Sequence, residues 1–173
     1  MRVETVGEIA SLKDRFLPGR SESFRKVGES QALASFRAAL TGKDSFLQLQ
    51  DFIAGFPGQS GDVHGACTGQ FVIVFRRLDL SANPTVYSIL AQTLQELLKK
   101  TSASDALFAT LCVTRPATEE ACASELSLVL QLEAIGSTPE QAEVRWGLGL
   151  MHVQEALLSA SHLLRQHLAK TGA

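Results

Sequence analysis

The sequence predicts an α/β (or α+β) fold: a small three-stranded sheet covered by helices, with an N-terminal helical segment. Three observations carry this. Residues 71–75 and 107–113 are short, continuous apolar runs of strand length. Residues 144–150 alternate, with Val144, Trp146, Leu148 and Leu150 set against Arg145, Gly147 and Gly149. Helical patterns separate these runs. An order of strand, helix, strand, helix, strand, helix implies a sheet covered by helices. If residues 143–150 were helical instead, the chain would be mostly α with a two-stranded ribbon.

The first third reads as helical. In residues 5–16, Thr5 and Glu8 match a capping box, and Ile9, Leu12 and Phe16 share a face. Pro18 and Gly19 break that pattern. Residues 30–40 place Leu33, Phe36 and Leu40 at helical spacing, with Gly42 as terminator. Residues 45–54 place Phe46, Leu49 and Ile53 on one side. Residues 1–54 are therefore expected to be a helical segment whose aromatic stripe is core.

Residues 55–70 follow as a glycine-rich loop. Residues 71–170 alternate strand and helix. Asn83 caps the helix that Pro84 opens, and Val86, Leu90, Leu94 and Leu97 share its face. Thr118, Glu119 and Glu120 open the next helix, with Ala121, Leu126, Val129 and Leu130 apolar and Gly136 as its end. Thr138, Pro139 and Gln141 form a helix-start signature. The alternation after it, and two glycines that would each cost a helix about 1 kcal/mol, favour a third strand at 143–150. Residues 154–170 form a helix with Leu157, Leu158, Leu164 and Leu168 apolar. No repeat, low-complexity tract or linker divides residues 1–173, so one domain is expected.

Composition excludes several function classes. The net charge of −2 gives no general attraction to nucleic acid. One tryptophan and one tyrosine are too few for a base-stacking platform. Three cysteines without tight spacing suggest neither a disulfide framework nor a zinc site. No secretory signal is visible, and no stretch reaches the roughly 20 apolar residues of a membrane span. A soluble intracellular chain, cytoplasmic or nuclear, is expected, with no nucleic-acid, membrane or metal partner.

The candidate ligand loop, residues 55–69, holds Gly55, Gly58, Gly61, Gly65 and Gly69, five of the thirteen glycines. It has no P-loop lysine, and it precedes a strand rather than following one, which excludes both phosphate-binding fingerprints. Within it, Asp62, His64 and Cys67 are the candidate catalytic residues: His64 would activate the Cys67 thiol and Asp62 would orient the imidazole. Of the C-terminal histidines, His152 or His162 could serve as a single axial ligand to haem. His162 and His167 do not share a helix face.

The remaining signal is leucine-rich helix surface at residues 86–98 and 157–168. Leu94, Leu98, Leu157 and Leu164 are the candidate contact residues, with Ile89 and Leu163 beside them. Excess apolar surface on a helix must be buried by this chain or another. The expected function is a protein–protein interaction module, acting as adaptor, assembly subunit or regulator, on another protein or by self-association. The alternative is an enzyme that binds a small molecule or cofactor, haem among them, under the loop at residues 55–69.

Overall fold

The computed structural model describes residues 1–11, 25–26, 30–42, 45–56, 65–101, 106–115 and 126–171. In chain order these form β1 (Arg2–Ser11), β2 (Arg25–Lys26), α1 (Gln31–Thr41), β3 (Leu47–Phe56), β4 (Gly65–Phe75), α2 (Leu78–Ser81), α3 (Pro84–Lys100), β5 (Leu107–Arg115), β6 (Ser127–Gly136) and α4 (Pro139–Thr171).

The strands make one mixed sheet in the order β1-β5-β6-β4-β3-β2, five long strands and the two-residue β2. This corrects the three-stranded expectation and removes the mostly helical alternative. Among the described residues only β1 and β5 pair in parallel. β6 runs antiparallel to both β4 and β5 and lies between them. β4 and β5 therefore point the same way, and the chain needs a crossover to join them, which α3 provides.

The class α/β holds, but several elements change type. Residues 5–11 belong to β1, not to a helix; residues 12–16 lie outside the described residues. The expected helix at 45–54 is β3. Leu47, Gln48, Leu49 and Gln50 alternate at period two, and a register shift between Leu49 and Asp51 then changes the phase. That extra residue spaces the apolar positions so that they imitate a helix. The described residues of the segment 1–54 are thus mainly strand, with α1 their one helix. The C-terminal part of the expected helix at 118–136 is β6. There Leu128, Leu130, Leu132 and Ala134 lie on one face, and the buried Val129 on the other hides the alternation. The expected strand at 143–150 is the first part of α4.

The helices form one layer. α1 packs on β3, α4 on β4 and β6, and α3 on β1 and β5, with α4 between α1 and α3. The core lies between this layer and the sheet. Phe71 is its aromatic centre, with ring centroids 4.8 Å from Phe36, 6.3 Å from Phe52 and 6.1 Å from Trp146. One ring cluster thereby joins α1, β3, β4 and α4.

Local signals set the helix ends. Ser30 accepts the Leu33 N–H at 3.2 Å and starts α1. Arg76 donates through Nη2 to the carbonyl of Thr41 at 3.1 Å and closes it. Asn83 Oδ1 accepts from Thr85 and Val86 at the start of α3, as its sequence implies. Thr138 and Gln141 cap α4 in a variant of the capping box: Gln141 N–H donates to Thr138 Oγ1 at 3.2 Å, and Gln141 Oε1 accepts from the N–H of Ser137, the residue before the cap, at 2.7 Å.

Candidate interaction surface

α4 carries apolar residues on two opposite sides. One side faces the sheet, where Ala142, Trp146, Leu150, Val153, Leu157, Ala160 and Leu164 are buried. The indole N–H of Trp146 donates to the Leu132 carbonyl at 3.2 Å, which fixes the helix over β6. Arg145 Nη1 donates to the Ile135 carbonyl at 2.6 Å and holds the first turns against the end of the same strand. α1 lies alongside, with Ser35 Oγ donating to Gln154 Oε1 at 3.2 Å.

The other side faces away from the sheet. Val144 is 65 % exposed, Leu148 52 %, Met151 50 % and Leu158 46 %. At 100° per residue these four fall within about 80° of arc, centred opposite Val153 and Ala160. Glu155 and His162, both exposed, complete the same row. Steps of four and three residues join Val144, Leu148, Met151, Glu155, Leu158 and His162. Single exposed leucines are ordinary on protein surfaces, but a continuous row along one helix is not.

The candidate contact leucines from the sequence lie elsewhere. Leu94, Leu98, Leu157 and Leu164 are all buried in the core. α3 spends its leucines on β1, β5 and α4, so its surplus is internal. Leu163 is exposed, at the flank of the α4 row. Two residues of the outer row, Val144 and Leu148, left a trace in the sequence, the alternation of 144–150 that imitates a strand, while Leu158 shows only as an apolar position of the 154–170 helix. Trp146 and Leu150 are buried beneath the helix, while Val144 and Leu148 are exposed above it.

The glycine-rich segment is shorter than its sequence suggests. Gly55 lies in β3, while Gly65 and Gly69 lie in β4, which pairs antiparallel with β3. Gly58, Gly61, Asp62 and His64 lie outside the described residues. Gly69 has a packing reason: a Cβ there would come within 2.5 Å of Trp146 Cζ2. Cys67 is fully buried inside β4. Burial, and then the Glu143 carboxylate, push its thiol from 9.0 up to about 12. An activated nucleophile needs a depressed value, so the environment of Cys67 works against the thiolate.

Among the histidines, His152 is half-buried on α4 and His162 is exposed, with its Nε2 2.8 Å from Gln166 Nε2. Among the described residues, no three of His, Cys, Asp and Glu gather as a metal-binding group. No helix among them is long and apolar enough to cross a membrane. No family model matches the chain, and neither a curated protein nor a solved structure matches it.

Proposed function

We propose that this chain is a protein-binding module, an adaptor, assembly subunit or regulator, whose contact surface is the outer row of α4. The supporting observation is the exposure of Val144, Leu148, Met151 and Leu158 along one helix whose opposite side is already in the core. Burying a leucine or methionine is worth about 1.5–3 kcal/mol relative to exposure. Four such side chains on one helix face, interrupted once by Glu155, form a surface that the described residues leave exposed. Helix-to-helix and helix-in-groove contacts are read through this pattern of anchors.

Native mass spectrometry of gently isolated protein tests the proposal. Wild type should carry a second polypeptide, and Met151→Glu should release it without unfolding. A wild-type chain that is bare and monomeric, and indistinguishable from Met151→Glu, would overturn the reading.

A further inference from the structure

We infer that the occupant of the outer row of α4 is a second copy of this chain, its α4 laid antiparallel on the first. The inference rests on the proposed binding role of α4 and adds the identity and direction of the partner.

Spacing is the first ground. Steps of four and three keep a row facing a neighbouring helix, as in a coiled-coil seam. α4 is 33 residues long, about 50 Å, long enough for a seam of several turns. The spacing of the row is also symmetric when turned end for end about Val153, which puts apolar on apolar at Leu148 and Leu158. Leu148 then meets Leu158, Met151 meets Glu155, and Val144 meets His162. A two-fold axis makes each of these contacts twice, as a closed dimer requires.

Charge is the second ground, and it sets the direction. On the Pro139 side of Val153 the helix carries Glu140 and Glu143 with one cation, Arg145. On the other side of Val153 it carries Arg165 and Lys170 with one carboxylate, Glu155. A parallel pair would place acidic half on acidic half. The antiparallel pair places the acidic half on the basic half, and it also opposes the two helix dipoles.

Equilibrium sedimentation and disulfide trapping test this on the full chain, with Cys122 replaced by serine to remove a competing thiol. Wild type should sediment as a dimer at micromolar concentration, and Leu148→Glu should weaken association at least about tenfold. A mixture of Leu148→Cys and Leu158→Cys chains should cross-link, because antiparallel pairing places these positions together. Leu148→Cys alone should not, since its two copies would sit about 15 Å apart. Cross-linking of Leu148→Cys to itself would overturn the antiparallel arrangement. A monomer at about 100 μM that holds a different polypeptide through α4 would overturn the second-copy inference and leave the binding module standing. A monomer with no α4-dependent partner would overturn both.

Discussion

Trp146 lies directly over the bare backbone of Gly69, where a Cβ would come within 2.5 Å of its Cζ2 and 3.1 Å of its Cε2. The indole is a flat, rigid body held by its bond to the Leu132 carbonyl, so it has little room to give way. Gly69→Ala should therefore destabilise the fold by about 1–3 kcal/mol, the usual cost of overpacking. Urea denaturation measures this. Trp146→Phe in the same chain should recover part of the loss, because the smaller ring vacates that space. Additive effects of the two substitutions would show that the contact is not the cause.

Two helix glycines make a contrasting pair. A Cβ at Gly147 would meet only Ala32 Cβ at 3.7 Å, which is ordinary contact. A Cβ at Gly149 would sit 2.9 Å from Leu107 Cδ2 and 3.4 Å from both Leu132 methyls. Gly147→Ala should thus stabilise the protein by about 0.5–1 kcal/mol, through lower unfolded-state entropy. Gly149→Ala should give no gain, as crowding offsets the same entropy term. Thermal unfolding of both variants decides it; equal stabilisation would contradict the close packing of Gly149 on β5 and β6.

Tyr87 ties α3 to β4 and to Leu126, the residue before β6. Its hydroxyl donates to the Leu126 carbonyl and accepts the Phe75 N–H at 3.4 Å, and its ring centroid lies 4.8 Å from that of Phe75. Tyr87→Phe keeps the packing and strips both backbone groups of their partner. The expected cost is about 1–3 kcal/mol, read from the shift in denaturant midpoint at constant slope. A neutral substitution would show that the hydroxyl carries no stability.

Cys67 gives the fold an alkaline signature. Below about pH 9 the thiol is protonated in both the folded and unfolded chain and contributes no pH dependence. Between 9.0 and about 12 the unfolded chain releases this proton while the folded chain retains it. The unfolded state then binds fewer protons, so stability falls as pH rises through that window. Cys67→Ala should flatten the alkaline limb of the stability curve. Iodoacetamide at neutral pH should label Cys67 only after denaturation; rapid labelling of native protein would contradict its burial.

Where one side of an element was apolar and the other polar, the chain was legible. α1 shows Leu33, Phe36 and Leu40 buried beneath a serine cap, and α3 shows Val86, Leu90 and Leu94 buried beneath Asn83 and Pro84. Residues 71–75 and 107–113 are strands, each extended further in the structure. Legibility failed where both sides are apolar or the phase shifts. β6 buries Val129 opposite its leucine row, and β3 changes phase between Leu49 and Asp51. α4 exposes Val144 and Leu148 above the buried Trp146 and Leu150, which turns a helix into an apparent strand. The binding surface proposed here and the misread strand thus share one origin. Cys67, His64 and Asp62 drew attention by adjacency alone, and adjacency says nothing of burial.

The most direct measurement compares Leu148→Glu with wild type for both unfolding free energy and mass in solution. Leu148 lies outside the core, so the stability of the isolated monomer, read at a concentration below wild-type assembly, should change by no more than about 0.5 kcal/mol, while the assembled species should disappear. Loss of several kcal/mol would place Leu148 in the fold's own interior, and an unchanged assembly would remove the outer row of α4 as the contact surface.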